Sequence, residues 1–212
     1  TIDETGSIDS QDTRLGITAS GTDSVVDLSS LVEFEDASTS GGYSSLSSIG
    51  GGVIQSGQLE YLRAVSMTLG GDSVIDMDQV QTLWYCDVDI SGIGRSFSSL
   101  TDGYGTSFDV DGVPLDLSQL TRLERGSLTV RNGGTAALGS LSNIDGASFS
   151  VSGGVTVSLP RAVSYSFSSS LSNNWEYRTW QAEGAGSVLD LSPLPHFSVG
   201  SHRYSNTHTQ AS

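Results

Sequence analysis

An apolar pattern that returns about every 20 residues constrains this chain more than any other feature. Each repeat has one apolar anchor residue, and most repeats have further apolar residues three positions before it and three positions after it. Five of the seven intervals between successive anchors are 20 or 21 residues, and the other two are 28 and 32. The anchors are Leu31, Leu59, Val80, Leu100, Leu120, Leu141, Ala162 and Leu194. Self-similarity at this period is typical of stacked repeat architectures.

Short stretches with a period of two predict strands in every repeat. Apolar pairs recur eight and ten residues after the anchor, at Met67/Leu69, Val88/Ile90, Phe108/Val110, Leu128/Val130 and Phe149/Val151. Alternation of this kind buries one face of a strand. Glycine pairs then end the repeat and predict positive-φ corners, at Gly70-Gly71, Gly133-Gly134 and Gly153-Gly154. The pattern predicts an all-β fold, a right-handed parallel β-helix (a solenoid) of about eight rungs of 20–21 residues.

A leucine-rich repeat is the competing architecture, because its consensus has a similar period and also uses Leu-x-x-Leu. Its signature asparagine occurs once, at Asn132, and the segments between the anchors lack strong helix formers. A hydrophobic share of 36% together with 26 glycines suits a narrow core. These observations favour the β-helix.

We expect residues 1–212 to form a single domain, with rungs over about 22–197. Residues 1–21 are polar and out of register, which predicts an N-terminal cap or linker, and residues 198–212 form a polar tail. The two long intervals predict insertions at about 38–52 and 168–186. A lone cysteine, Cys86, excludes an internal disulfide framework.

The charge of the chain limits its partners. It has no lysine, and nine arginines stand against 24 acidic residues, for a formal charge of −15. This balance argues against binding nucleic acid or an anionic membrane. The acidic balance suits a secreted protein, extracellular or at the cell surface, although the sequence shows no signal peptide, and no apolar run has the length of a membrane span. Calcium is a possible ligand of carboxylates expected on an outer face, which are Asp87, Asp89, Asp109 and Asp111. An ordinary solvated acidic face is the alternative.

The position four residues after the anchor predicts a binding surface. It is polar in every repeat except two successive ones, which carry Trp84 and Tyr104, and Tyr85 follows directly. Aromatic faces bind the apolar side of sugars, so we expect a flat strip that contacts a polysaccharide. The polar groups expected to reach the sugar hydroxyls are Asp89, Asp109 and Arg131. An aromatic ladder that only joins neighbouring rungs is the alternative.

The second predicted insertion is rich in aromatic residues, namely Trp175, Tyr177 and Trp180. Because we expect an insertion to lie outside the stacked rungs, its aromatic residues would not join neighbouring rungs. These residues are therefore a second candidate binding loop. A lid over the flank of the repeats is the alternative.

Signals for catalysis are sparse. The histidines His196, His202 and His208 all lie near the end of the chain and form no metal or catalytic motif. Clustered aspartates leave a β-helix polysaccharide lyase or glycoside hydrolase as an alternative. We expect no catalytic residues and, apart from possible calcium, no cofactor.

Two rungs carry a resemblance to a known family, at 113–120 (VPLDLSQL) and 126–130 (GSLTV). They resemble secreted bacterial β-helix modules, and the repeat pattern over about 22–197 is similar to carbohydrate-binding module family 89. That resemblance implies a non-catalytic module that binds a neutral β-glycan such as xylan. It also implies a larger multidomain secreted enzyme that acts on plant cell walls. A structural or adhesive bacterial surface solenoid is the alternative.

Overall fold

The computed structural model describes residues 2–3, 13–37, 44–168 and 177–200, and these residues form 22 β-strands and no helix. The strands are β1 (Ile2–Asp3), β2 (Gly16–Ser20), β3 (Val25–Asp27), β4 (Glu33–Glu35), β5 (Ser44–Ile49), β6 (Val53–Gln55), β7 (Tyr61–Arg63), β8 (Val65–Leu69), β9 (Val74–Ile75), β10 (Thr82–Trp84), β11 (Asp87–Ser91), β12 (Arg95–Ser96), β13 (Ser107–Asp111), β14 (Pro114–Asp116), β15 (Ser127–Arg131), β16 (Thr135–Ala137), β17 (Ser148–Ser152), β18 (Thr156–Ser158), β19 (Ser164–Ser168), β20 (Trp180–Glu183), β21 (Val188–Asp190) and β22 (His196–Gly200). The predicted all-β class is confirmed.

Every pairing between these strands is parallel. The main sheet has eight strands in the order β2-β5-β8-β11-β13-β15-β17-β20. A second sheet has the order β1-β4-β7-β10, and isolated parallel bridges extend it through Asp102, Arg122 and Asn143. Two three-stranded sheets, β3-β6-β9 and β12-β14-β16, and the pairs β18-β21 and β19-β22 complete the set. Each strand therefore pairs with the corresponding strand of another repeat.

The register of the main sheet follows the predicted columns. Val88 pairs with Met67 on one side and with Phe108 on the other, and Phe108 pairs in turn with Leu128. Leu128 pairs with Phe149, which continues the column. A shift by one residue would turn every one of these side chains outward, so burial of this face fixes the register. The predicted inward pairs are confirmed.

The core is a narrow column of apolar side chains inside the sheets. The anchors from Leu31 to Ala162 are all buried, whereas Leu194 is half-buried. The inward positions three residues after the anchor are buried as well, at Phe34, Leu62, Leu83, Leu123 and Ile144. Full burial of such side chains stabilises the fold by about 1.5–3 kcal/mol each.

In the five repeats anchored from Leu59 to Leu141, one corner uses a left-handed backbone five residues after the anchor. The residues there are Ala64, Tyr85, Gly105, Arg125 and Gly146, with φ between 52° and 67°. This corner joins the second sheet to the main sheet, and its three non-glycine members are unusual, because a Cβ disfavours the left-handed region.

The predicted glycine corners are correct only in part. Gly133, Gly153 and Gly154 have positive φ, but Gly70, Gly71 and Gly134 do not. Gly71 serves close packing instead, because a Cβ on Gly92 would lie 2.3 Å from the Gly71 Cα. A glycine pair therefore marks either a positive φ or a close backbone approach.

Strands extend into segments that the sequence assigns to other roles. β2 lies within the expected cap at 1–21, and β22 continues to Gly200. β5 and β20 lie within the two predicted insertions, yet both belong to the main sheet. The residues that lengthen these two intervals therefore fall between β4 and β5 and between β19 and β20 in the sequence.

Candidate functional site

Three aromatic rings from successive repeats meet on the second sheet and form what we call the platform, which consists of Tyr61, Trp84 and Tyr104. Trp84 lies between the tyrosines, with ring centroids 5.9 Å from Tyr61 and 6.3 Å from Tyr104. All three side chains are half-buried. The structure thus brings Trp84 and Tyr104 together as expected and adds Tyr61, which lies two residues before the predicted column.

The platform is not the flat strip that the sequence predicts. Trp84 meets Tyr61 at an interplanar angle of 71° and Tyr104 at 65°, so the rings pack edge to face. The quadrupoles of aromatic rings favour this geometry over coplanar stacking. Tyr85 stands at the left-handed corner, 43% exposed, with its ring 5.3 Å from that of Tyr104. The surface therefore offers ring edges and partly exposed faces.

A polar network surrounds one side of the platform. The Trp84 indole N–H donates to Asp102 at 3.2 Å, and the same carboxylate accepts from Arg122 at 3.2 Å. The Arg122 guanidinium also donates to Glu124 at 2.8 Å and lies 4.4 Å from the centroid of the Tyr104 ring. A cation over an aromatic face is attracted by the ring quadrupole, so Arg122 holds both the ring and the carboxylates in place.

The other side of the platform carries a second ion pair, between Arg63 and Glu35. Its hydrogen bond raises the pKa of the Arg63 guanidinium. Burial, reinforced by the nearby Glu35, raises the pKa of the Tyr61 phenol. Burial and a hydrogen bond with Tyr104 likewise raise the pKa of Tyr85. Tyr61 and Tyr85 therefore keep their protons at neutral pH and can donate hydrogen bonds.

Arg122 shows how the network balances burial against charge. Burial disfavours its charged form, but the hydrogen bond to Glu124 and the charge of Asp102 outweigh burial, so the pKa of Arg122 lies above its ordinary value. Arginine and carboxylate side chains thus flank the rings on both sides. Such groups can donate to and accept from sugar hydroxyls.

The predicted polar partners lie on the main sheet, whereas the platform rings belong to the second sheet and its extension. Asp89 pairs with Asp109 in neighbouring strands, and Asp111 pairs with Arg131. Arg131 forms ion pairs with Asp109 at 2.7 Å and with Asp111 at 3.2 Å. Two of the four carboxylates proposed for calcium are therefore paired with a guanidinium.

The described ranges contain no cluster of three or more His, Cys, Asp or Glu side chains suited to a metal ion. Burial, opposed by a hydrogen bond from Ser107, raises the pKa of the Asp87 carboxyl, and the charge of Asp89 adds to this rise. Calcium binding stays a prediction. Burial raises the pKa of Cys86 to about 12, so this thiol stays protonated.

The prediction that the aromatic insertion has no rung to staple is wrong for Trp180. This residue belongs to β20 and pairs with Phe149, so its ring covers the end of the core column. Its indole N–H donates to the Ala147 carbonyl at 3.0 Å. The spacing Trp180-x-Ala182-x-Gly184 repeats that of Phe149-x-Val151-x-Gly153 and could have revealed this role. Tyr177 is 79% exposed, and Trp175 lies outside the described residues.

A cavity of about 270 Å³ lies at the C-terminal end, which we call the end pocket. Its lining includes Tyr165, Phe167, Tyr177, Arg178, Trp180 and Phe197. The Tyr165 and Trp180 rings are 4.5 Å apart, and the Arg178 guanidinium lies 4.6 Å from the Phe167 ring centroid. Beside this pocket, β19 and β22 continue straight through the position at which the repeats from Leu59 to Leu141 turn with positive φ. Sequence periodicity does not reveal this change of path.

His196 lies on the exposed strand β22, and His202 and His208 fall outside the described residues. In the ranges that the structure describes, no helix has the length and apolarity to cross a membrane. No protein-family model matches the sequence, and neither a curated protein nor a solved structure matches it.

Proposed function

We propose that the chain is a right-handed parallel β-helix that acts as a non-catalytic polysaccharide-binding module. Parallel pairing between successive repeats, with one strand per repeat in the main sheet, supports the helical arrangement. Parallel crossovers are right-handed in about 98% of cases, which supports the handedness. The module would target an attached enzyme of a larger, secreted bacterial protein to the plant cell wall.

The platform is the observation that carries this proposal. Tyr61, Trp84 and Tyr104 are large aromatic side chains left half-exposed on a sheet surface, in a chain with an aromatic share of 8%. Aromatic rings with polar groups beside them suit the apolar face and the hydroxyls of a sugar. The ion pairs of Arg63 and Arg122 supply those polar groups on either side.

The proposed ligand is a neutral β-glycan, for which xylan is the representative. With a formal charge of −15, the chain would repel an anionic glycan such as pectate. The carboxylates of Glu35 and Glu124 accept hydrogen bonds, which sugar hydroxyls can donate.

Affinity electrophoresis in gels that contain soluble xylan tests the proposal. We expect Trp84→Ala and Tyr104→Ala each to weaken xylan binding about fivefold, and the double variant to weaken it further. Val74→Ala removes an exposed apolar side chain from β9, away from the platform, and is the matched control. Wild-type xylan affinity in the double variant, with its fold intact by circular dichroism, would contradict the proposed site.

A structural or adhesive surface solenoid is the second candidate, and the interlocking of the rings favours it. The edge-to-face contacts and the hydrogen bond from Trp84 to Asp102 join three successive repeats. If this role is the relevant one, the double variant lowers the melting temperature and the wild-type protein binds none of the glycans in an affinity-gel panel.

A further inference from the structure

The platform and the end pocket are connected by surface that the proposed function leaves unassigned. A shallow cleft of about 100 Å³ lies between them, lined by residues that include Glu124, Arg125, Asp145, Gly146, Ser166 and Phe167. Glu124 also belongs to the ion pair beside the platform, and Phe167 also lines the end pocket. The cleft therefore shares Phe167 with the end pocket and reaches the ion pair beside the platform through Glu124, so the three surfaces lie along one path.

The path follows the left-handed corner of the repeats. Tyr85 begins it beside the platform, Gly105 and Arg125 follow in the next two repeats, and Gly146 lies next to the pocket. A Cβ on Gly146 would come within 3.1 Å of the Phe167 ring and 3.3 Å of the Arg125 side chain. From Tyr85 to Phe167 the corner crosses four strand spacings of about 4.8 Å, or about 19 Å in all.

The path combines aromatic and polar side chains. Aromatic side chains stand at both ends, with Tyr85 43% exposed at one end and Phe197 66% exposed at the other. Charged and polar side chains lie between them, among them Arg125 and Asp145. An extended polymer with apolar faces and regularly spaced hydroxyl groups fits this arrangement better than a compact ligand does.

We propose that the platform, the cleft and the end pocket are consecutive subsites of one track, which binds a single extended β-glycan chain along the corner. This inference rests on the proposed polysaccharide-binding function and adds the path and the minimum length of the ligand. Binding at a second subsite on the same chain is intramolecular, so affinity rises with the length of the oligosaccharide. The end pocket thereby becomes a determinant of selectivity for long chains.

Isothermal titration calorimetry with xylotriose and xylohexaose tests the track. We expect the wild-type protein to bind xylohexaose more tightly than xylotriose. The shorter sugar cannot contact the platform and the end pocket at the same time. Tyr177→Ala removes a ring that is 79% exposed, and Arg125→Gly suits the φ of 58° at that corner. Each variant should weaken xylohexaose binding about fivefold, and Tyr177→Ala should leave xylotriose binding unchanged.

Ile93→Ala removes a side chain that is 48% exposed at a different corner, and it should bind both oligosaccharides as the wild type does. Equal wild-type affinity for the two oligosaccharides, or unchanged xylohexaose affinity in both variants, overturns the track and leaves the proposed function standing. Weaker xylotriose binding in Tyr177→Ala also overturns it, because the short ligand would then occupy the pocket. A wild-type protein that binds neither these oligosaccharides nor xylan overturns the proposed function and the track together.

Discussion

The repeats between Leu59 and Ala162 and the last strands, β20–β22, carry the same columns but bury them differently. In the central repeats the anchors and the positions three residues before and after them are almost fully buried. In the last repeat Leu194 is the anchor and Leu191 lies three residues before it, and both are only half-buried. All five residues of β22 are exposed.

This difference teaches that the pattern within one repeat is not enough to make a core. An inward side chain is enclosed only when repeats on both sides cover it, as expected where each repeat contacts its nearest neighbours. At the C-terminal end the rings of Trp180, Tyr165 and Phe197 cover the column from one side. Among the described residues, aromatic side chains therefore pack against this end of the core column.

Replacing the same column residue in the two regions gives the largest expected contrast. Leu117 has no exposed surface, so Leu117→Asp would bury an unpaired charge and cost several kcal/mol of unfolding free energy. Leu191→Asp changes a half-buried member of the same column, where water can reach the carboxylate, and should cost clearly less. Melting temperatures from circular dichroism would measure both losses.

Asp116→Ser is the control for that comparison, because Asp116 is next to Leu117 but points outward. Asp116 accepts a hydrogen bond from the Ser118 N–H at 2.9 Å, and serine can accept a similar bond, so the cost should be small. Comparable destabilisation by Leu117→Asp and Asp116→Ser would contradict the assigned register. Equal losses for Leu117→Asp and Leu191→Asp would contradict the difference between the two regions.

The sequence predicts most of the central repeats, because their columns depend on local periodicity. Strict spacing places Val88, Phe108 and Leu128 in one column without knowledge of any distant contact. The roles of the outward aspartates escape this reasoning. Asp27, Asp76 and Asp190 each accept a hydrogen bond from the backbone N–H two residues later, so they stabilise turns as well as solvating the surface.

The candidate site could be predicted only in part. The column position brings Trp84 and Tyr104 together, but their interplanar angle depends on packing against Tyr61, Arg122 and Asp102, which no local pattern specifies. Trp180 escaped prediction because the interval before it is irregular, so the register is visible only when it is counted from the glycine that follows. The path of β19 and β22 depends on the absence of the left-handed corner.

Replacing one tryptophan in each region should change the unfolding free energy by a moderate amount. Trp180 contacts Phe149, Tyr165 and Phe197 at the end of the core, so Trp180→Ala should cost about 2 kcal/mol of unfolding free energy. Trp84→Ala removes a ring from the sheet surface and should cost less, about 1 kcal/mol. Urea denaturation measures both. A larger loss of unfolding free energy for Trp84→Ala would mean that the platform rings stabilise the fold more than the rings around Trp180 do.

The smallest expected effect concerns Asp87, which lies between two serines in a column of the main sheet. Ser66, Asp87 and Ser107 are paired neighbours on the main sheet, and burial raises the pKa of the Asp87 carboxyl. The folded state therefore holds this proton more tightly than the unfolded state, and stability falls as the pH rises through the raised value. At neutral pH the charged form is disfavoured, so Asp87→Ser should stabilise the protein. Solvent screens a half-exposed charge, which limits the gain to about 0.5 kcal/mol.

Below pH 3.8, the ordinary aspartate value, both states of the wild type are protonated and the gain should vanish. Asp72→Ser removes one negative charge from an exposed turn and is the matched control for net charge. Melting curves from below pH 3.8 to neutral pH measure these stabilities. The same gain in stability for Asp72→Ser, or a gain for Asp87→Ser that does not depend on pH, would contradict the argument.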